Sequence, residues 1–354
     1  MPKSPGFFHR PFFIRLFNWE FWSFNALYVC IMPVWFLLCL RARSFFFFNA
    51  SNPRIENGGL TNESKKDIHA LLPEDLFPKT RHFARGTAPA TVLEGLREKG
   101  LQLPLIAKPD IGGRGRGIKI LKTEEDVALY AQQCTMDYHI QDLVAWSKEV
   151  GIFYCRMPDE DKGRITGIVR KEFLSVTGDG KSTVRELVGR DKRAVMYVRS
   201  LEEMHGQNLD KVPQAGEKLV LSHIGNHARG ALFLDATALA DAQLIETIDR
   251  ISKRIPEFYF GRLDIRYRDW DALKRGEDFV MLEVNGAGAE PTHMYDPKHS
   301  LFWAWREIVR HWVWLFRISR ANHRKGVPYL SFSEGMAMVR KDKEIDAQLK
   351  SIPL

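Results

Sequence analysis

The stretch PLIAKPDIGGRGRGIKIL, residues 104–121, carries the strongest local signal in the sequence. One apolar run ends at Lys108, and another begins at Ile118. The loop between them contains four glycines, which are Gly112, Gly113, Gly115 and Gly117. Because glycine lacks a Cβ, its backbone N–H can approach phosphate oxygens, and a lysine adds a positive charge for them. The stretch predicts two strands joined by a phosphate-binding loop, although an ordinary hairpin turn would look similar.

Around this stretch, strand-like and helix-like runs alternate from residue 83 to residue 300. The alternation indicates an α+β or α/β domain, of which we predict α+β. Residues 49–82 combine turn signals with one short helical run and predict a connecting lobe. Residues 301–354 predict an amphipathic helix and a charged tail. The length of 354 residues excludes a single small domain.

Two further apolar runs, GRLDIRYRD and DFVMLEVNGAG, contain carboxylates. In an extended strand Glu283 and Asn285 point to the same face, and Asp264 on a neighbouring strand would complete a set of oxygen ligands. Mg²⁺ prefers such ligands and often shares them with nucleotide phosphates. We predict a Mg²⁺ site here, with Mn²⁺ as the other candidate ion. The alternative is a solvated polar face, which is disfavoured because carboxylates are seldom buried without a partner.

Residues 21–40, FWSFNALYVCIMPVWFLLCL, carry no charged side chain. About 20 such residues suffice to span a bilayer, so we predict a membrane-associated segment over residues 1–48 with a helix over about 21–40. A buried core helix is the competing interpretation because Pro33 interrupts the run. Basic residues flank both ends, including Lys3, Arg10 and Arg41, so an interfacial helix also remains open.

The formal net charge of +8 fits a protein that acts on phosphates or lies beside anionic lipid. We expect no nucleic-acid partner, because the sequence has no helix-turn-helix, zinc-finger or RNP-like pattern. The cysteines form no C-x-x-C pair, so we expect neither a disulfide scaffold nor a zinc site.

Lys108 with GGRGRG, then HIQDLVAWSKEV, GRLDIR and LEVN, in this order, resemble the ATP-grasp superfamily over residues of about 79–300. KEFLSVTGDGKSTVREL and VPQAGEKLVLSHIGNHARGA are similar to the ATP-grasp part of cyanophycin synthetases and RimK-like amino-acid ligases. The chain also resembles the related D-alanine–D-alanine ligase-like enzymes. The resemblance implies two α+β lobes that clasp ATP.

The resemblance also implies roles for individual residues. Lys108 would hold the α- and β-phosphates under the glycine loop, and Arg262 would face an acyl phosphate. Lys79 would be a further upstream phosphate lysine, and Glu149 would bind the ribose hydroxyls. The adenine would lie against hinge residues Gln141, Asp142, Leu143 and Val144. Asp264, Glu283 and Asn285 would be the magnesium ligands.

The implied activity is a carboxylate–amine ligase that forms a C–N bond through an acyl phosphate and releases ADP. With the N-terminal segment, we expect a lipid-linked, envelope or surface-polymer substrate at the membrane and an ATP site on the cytoplasmic side. Two alternatives stay open: a phosphotransferase that acts on a hydroxyl, and a non-catalytic ATP-binding membrane adaptor.

The sequence departs from the family after Asn285, where GAGAEPTHMYDP replaces a Pro-Gly turn. Glu290 and His293 are candidates for substrate recognition, or they cap the following helix. Arg229 would hold a substrate carboxylate or position its own loop. The usual front domain is shortened, and residues 57–65 are its candidate remnant.

Overall fold

The computed structural model describes residues 11–61, 63–113, 115–222 and 225–351. The first ten residues of the predicted N-terminal segment, with Lys3 and Arg10, therefore lie outside the described part of the chain, as do the last three residues of the predicted tail.

The strands are β1 (Thr80–Phe83), β2 (Leu105–Pro109), β3 (Lys119–Leu121), β4 (Tyr138–Asp142), β5 (Lys148–Cys155), β6 (Arg164–Glu172), β7 (Ser175–Thr177), β8 (Lys218–Val220), β9 (Leu232–Asp235), β10 (Phe260–Tyr267) and β11 (Phe279–Asn285). The helices are α1 (Pro11–Phe17), α2 (Phe24–Tyr28), α3 (Met32–Ala42), α4 (Lys65–Leu71), α5 (Pro89–Glu98), α6 (Glu124–Gln133), α7 (Val184–Arg190), α8 (Val198–His205), α9 (Ala242–Lys253), α10 (Trp270–Arg275), α11 (Leu301–Arg324) and α12 (Phe332–Ser351). The predicted α+β class is confirmed.

The small lobe is an antiparallel sheet in the order β1-β4-β2-β3. Successive side chains of a strand point to opposite faces. On one face Leu105, Tyr138 and Ile140 pack with residues of α5 and α6. Lys108 and His139, which are paired in register, therefore lie on the other face.

The large lobe is an antiparallel sheet in the order β11-β10-β5-β6-β9. Val150 and Ile265 pack with Ile248 of α9 on one face. Alternation places the polar residues of the same strands, among them Glu149 and Asp264, on the opposite face. A separate pair of strands, β7 and β8, packs with α7 and α8 beside this sheet.

The N-terminal and C-terminal segments form one aromatic layer. Leu38 of α3, Phe47, Phe316 of α11 and Met338 of α12 share a buried cluster with Phe153 of the large sheet. The described N-terminal and C-terminal segments therefore pack on the large lobe through large apolar side chains, each of which contributes about 1.5–3 kcal/mol when fully buried.

The prediction of a single helix over residues 21–40 is wrong. The structure has two shorter helices, α2 and α3, separated by a turn, and Pro33 stands in the first turn of α3. Proline has no N–H and suits the start of a helix but not its interior, so a new helix begins there. Among the helices of the described ranges, none combines the length and the apolar character needed to cross a membrane.

Candidate nucleotide and metal site

The cleft between the lobes is lined by α4, the start of the glycine loop and β11. Its lining includes Glu63, Lys65, His69, Gly112, Leu282 and Glu283. The wall formed by α4 was not expected from the sequence, because it belongs to the connecting lobe.

Lys108 reaches the cleft from β2 and is half-buried. Burial, together with the charge of Lys65, lowers the pKa of Lys108 to about 8 against the opposing effect of the Glu283 carboxylate. Glu283 belongs to the other lobe, so this interaction links the predicted phosphate lysine to the predicted metal ligands.

The loop after Lys108 has the backbone that its glycines predict. Gly115 and Gly117 have φ values of 72° and 67°, in the left-handed region that favours glycine. Tyr130 donates a hydrogen bond of 2.8 Å to the carbonyl of Gly117 and fixes the end of the loop. A Cβ on Gly112 would lie 3.0 Å from Leu349 of α12, so this glycine gives room to the C-terminal helix.

The predicted metal ligands lie side by side on two strands. Asp264 of β10 is opposite Glu283 of β11, and Arg262 is opposite Asn285. Arg262 donates two hydrogen bonds to Asp264, of 2.9 and 3.1 Å. Burial would raise the pKa of Asp264, but the charges of Arg262 and Lys171 hold it at about 2. Two carboxylates and one amide are oxygen donors of the kind that Mg²⁺ takes, so the residues fit that ion.

Lys171 is a site residue that the sequence analysis missed. It is 7% exposed, and its Nζ lies 2.8 Å from Glu149 and 3.2 Å from Asp264. These charges raise the pKa of Lys171 against the opposing effect of burial. In the sequence, Lys171 is marked only as part of a charged triplet, residues 170–172, at the end of an apolar strand. Which side chains of this strand point into the site depends on the neighbouring strands, and the sequence of one strand does not contain that information.

Glu149 has two basic partners. Besides Lys171, Arg266 of β10 lies 3.3 Å from the Glu149 carboxylate. The same Arg266 donates a 3.0 Å hydrogen bond to the carbonyl of Val144. Arg266, which the sequence analysis also missed, therefore connects the predicted ribose ligand to the predicted hinge.

The predicted hinge follows the end of β4. Gln141 is 2% exposed in the strand, and Asp142 closes it. Burial raises the pKa of the Asp142 carboxyl, and Lys79 opposes this. Leu143 and Val144 then continue in an irregular segment that leads to β5.

Lys65 and Lys79 both precede the small lobe, and of these two only Lys65 lies in the cleft. Lys79 is exposed, and its Nζ donates to the carbonyl of Gly100 at 3.2 Å. Lys65 of α4 donates to the carbonyls of Asp110 and Gly112 at 3.1 and 3.0 Å. The structure therefore brings Lys65, rather than Lys79, to the glycine loop.

The segment before α4 packs against the GAGA turn that follows β11. Ala287 and Gly288 donate backbone hydrogen bonds of 2.9 and 2.8 Å to the carbonyls of Gly58 and Gly59. Asn52, which is fully buried, holds this segment by donating to the carbonyls of Gly58 and Phe260. The candidate remnant over residues 57–65 thus lies directly beside the predicted metal strand.

The three substrate candidates have different surroundings. Arg229 donates to the carbonyl of Gly115 at 3.4 Å and so joins the glycine loop. Tyr28 donates to the Glu290 carboxylate at 2.6 Å. His293 is buried, 3.3 Å from the Glu307 carboxylate. The helix that follows, α11, is capped by Ser300, whose Oγ accepts a 3.2 Å hydrogen bond from the backbone N–H of Trp303, so Glu290 and His293 do not cap it.

A second and larger cavity, of about 560 Å³, lies beside His293. It is lined by Thr166 of β6, Asp235 of β9, and Trp303, Arg306 and Arg310 of α11. Glu307 in its wall binds Arg310 and His293. Burial would raise the pKa of Glu307, but these two partners lower it to about 2.

No protein-family model matches the chain. In an alignment 217 positions long, which covers 54% of this chain and 24% of the other protein, it is 27% identical to cyanophycin synthetase from Synechocystis sp.. The similar solved structures include a bifunctional glutathione synthetase from Pasteurella multocida, at 17% identity and a TM-score of 0.41 over 75% of this chain and 37% of that one. They also include D-alanine–D-alanine ligase from Bacillus anthracis, at 14% identity and a TM-score of 0.41 over 74% and 69% of the two chains.

The chain has an ATP-grasp fold. The conclusion rests on the match to cyanophycin synthetase together with the order of the motifs along the two lobes. The chain spans about a quarter of the curated relative it matches.

Proposed function

We propose that the protein is an ATP-dependent carboxylate–amine ligase. The observation that carries the proposal is the pairing of Lys108 and its glycine loop with the Asp264–Glu283 ligand set across one cleft. A phosphate lysine and a set of oxygen ligands facing one another are what a site for a metal-bound nucleoside triphosphate needs.

In the proposed reaction, a carboxylate oxygen of the acid attacks the γ-phosphorus of ATP, and the bond to the β-phosphate oxygen breaks. ADP leaves, and an acyl phosphate remains. An amine then attacks the acyl carbon, inorganic phosphate departs, and the amine nitrogen loses a proton. The C–N bond is therefore made at the expense of one phosphoanhydride bond.

The residues of the cleft would act mainly by position and charge, as is usual in phosphoryl transfer. Lys108 and Lys65 would orient the phosphates under the glycine loop. Arg262 would stabilise negative charge on the transferring phosphoryl group. Mg²⁺, when bound by Asp264, Glu283 and Asn285, would neutralise phosphate charge. Glu149, held between Lys171 and Arg266, would have its carboxylate oriented for the ribose hydroxyls.

Hydroxylamine trapping distinguishes the ligase from the kinase and from the adaptor. The purified protein would be incubated with Mg²⁺, ATP, hydroxylamine and pools of candidate acids. A ligase should form a hydroxamate in an amount that matches the ADP released. Glu283→Gln should abolish hydroxamate formation, whereas Glu277→Gln, on the surface, should not. ADP release with a phosphorylated alcohol and no hydroxamate would instead establish the kinase. Absence of ADP with every pool would support the adaptor.

We also propose that the enzyme lies on an anionic membrane surface, where its substrate is lipid-linked or part of the envelope. Helices α1 and α3 expose large apolar side chains, with Phe12 and Phe17 both 70% exposed and Leu40 73% exposed. Arg41 and Arg43 are exposed next to Leu40. Exposed apolar side chains beside basic ones suit attachment to the interface of anionic lipid.

Vesicle co-sedimentation tests the attachment. We expect the protein to bind vesicles that contain phosphatidylglycerol more strongly than neutral vesicles, with binding reduced by salt. Phe17→Asp combined with Leu40→Asp should weaken binding, whereas Leu239→Asp, an exposed apolar position on the large lobe, should not. The proposal would be contradicted if the double variant and Leu239→Asp bound the anionic vesicles equally well, or if the wild type did not bind them.

A further inference from the structure

Three polar side chains that no step of the proposed reaction uses converge on the cleft face of the small lobe. His82 of β1 is paired in register with His139 of β4, and Asp110 follows the end of β2. One nitrogen or oxygen atom from each of the three lies within 4.8 Å of the other two. His69 of α4 adjoins them, with its Nδ1 3.3 Å from Nε2 of His82.

Of the ring nitrogens of His82 and His139, only the Nε2 of His82 has a hydrogen-bond partner among the described residues, the Nδ1 of His69. His139 is 1% exposed, and neither of its ring nitrogens has a hydrogen-bond partner among the described residues. The Nδ1 of His82 is likewise buried and has no partner within the same set. A buried polar group without a partner costs about 1–3 kcal/mol, so unpartnered nitrogens on both neighbouring rings call for a ligand.

The carboxylate of Asp110 is already oriented. Its Oδ1 accepts a 2.8 Å hydrogen bond from the backbone N–H of Lys66, and the residue is 9% exposed. A neutral imidazole has one lone pair available for a cation, and the ligand atoms of His82, His139 and Asp110 lie within 4.8 Å of one another.

We propose that His82, His139 and Asp110 form a binding site for a transition-metal dication, for which Zn²⁺ is the probe. Two imidazole nitrogens and one carboxylate are a common protein ligand set for Zn²⁺ and leave a fourth position for water. The cysteine pattern gave no reason to expect zinc, and this site uses no cysteine. It differs chemically from the Asp264–Glu283 set, because Mg²⁺ prefers oxygen ligands and imidazole suits transition metals.

The neighbouring charges limit the affinity of the site. Lys65 and Lys108 lie on the same face, and both lower the pKa of His139 through their charge. A dication bound here is repelled by the same charges, so its affinity is lower than that of an isolated three-ligand site. Its effect is nevertheless structural, because it joins the edge strand β1 and its neighbour β4 to the base of the glycine loop.

Metal binding by the full-length protein tests the site. After chelation and buffer exchange, we expect the wild type to take up about one Zn²⁺ per chain in excess Mg²⁺, measured by isothermal titration calorimetry. His139→Asn and Asp110→Asn should each weaken binding by about tenfold or more. His323→Asn, an exposed histidine on α11, and Glu283→Ala, a ligand of the other site, should leave it unchanged.

Co²⁺ gives a second readout that does not depend on the folding of the variants. In the wild type, a site with two imidazoles and one carboxylate should give the intense visible d–d bands of four-coordinate Co²⁺. Three results would overturn the proposal. The first is weak bands typical of six oxygen ligands, and the second is no uptake of Zn²⁺. The third is uptake that is lost in Glu283→Ala but kept in folded His139→Asn. Loss of hydroxamate formation in Glu283→Ala with unchanged Zn²⁺ uptake separates this site from the catalytic one.

Discussion

Asp264 lies directly opposite Glu283 on adjacent antiparallel strands, yet the two carboxylates have contrasting surroundings. Asp264 is buried and paired with Arg262 and Lys171, whereas Glu283 is exposed to the cleft. Removing a partner from a buried ion pair commonly costs about 3–5 kcal/mol, because a buried charge is left uncompensated. Glu283 is therefore the better position for testing the metal site without unfolding the protein.

Glu283→Gln should lower Mg²⁺-dependent ATP turnover by about a hundredfold or more, because a charged ligand is lost where phosphate charge must be neutralised. The measurement is ADP release as a function of Mg²⁺ concentration, with circular dichroism to confirm folding. Wild-type Mg²⁺ dependence in this variant would show that Glu283 is not a metal ligand.

ATP binding should weaken as pH rises through about 8. The pKa of Lys108 is lowered to about 8 in the ATP-free protein, so the lysine is charged below that pH and loses its proton above it. Bound phosphate requires the charged form, so each further pH unit should cost up to about tenfold in affinity. Calorimetry between about pH 7 and pH 9.5 tests this, with Lys108→Arg as the matched variant, because a guanidinium stays charged. A parallel decline in both proteins would exclude Lys108 as the titrating group.

Lys65→Met should reduce ATP affinity by roughly tenfold to a hundredfold, the loss expected for one charge-assisted hydrogen bond. Lys79→Met should have little effect, because Lys79 is exposed and bonded to Gly100 away from the cleft. Nucleotide titration of both variants separates the two lysines. If Lys79→Met alone loses affinity, the upstream phosphate lysine is Lys79 as the family resemblance implied.

Glu307→Gln should destabilise the protein at neutral pH but not in strong acid. The pKa of Glu307 is lowered to about 2 in the folded state from an ordinary 4.5. A lowered folded-state pKa gives stability that is present above the unfolded value and is lost as pH falls from about 4.5 towards 2. The shift corresponds to up to about 3 kcal/mol. Urea unfolding at several pH values measures it.

Glu344→Gln, an exposed position on α12, is the control for that experiment. It should unfold as the wild type does at every pH. A Glu307→Gln variant whose deficit persists unchanged at about pH 2 would show that packing, and not charge, is responsible.

Local signals predicted the strands and the glycine loop beside the cleft but not the residues that form its walls. The strand, lysine and glycine pattern of residues 104–121 is contained in one short segment, and the structure has β2 and β3 there with the loop between them. Lys171 could not be found in the same way, because its role depends on Glu149 and Asp264 from two other strands. Lys65 lies in the cleft only because α4 packs across both lobes.

The N-terminal segment shows why an apolar run alone does not determine its environment. Residues 21–40 are apolar enough for lipid by composition, but the segment is built into the protein. Trp305 of α11 donates a 2.8 Å hydrogen bond to the carbonyl of Leu27, and Tyr28 binds Glu290. Such contacts join residues more than 250 positions apart, and hydropathy along the chain contains no information about them.

Helix α12 has a consequence for how the cleft can open. Its 20 residues span about 30 Å. Near its start Gly335 packs on Phe46 of the aromatic layer, and near its end Leu349 packs on the glycine loop, where Arg116 binds Asp346 at 2.5 Å. A helix is stiff over this length, so α12 connects the aromatic layer to the glycine loop as one rigid element. Any movement of the small lobe away from the large lobe would therefore have to tilt α12 against the aromatic layer or detach its end from the glycine loop.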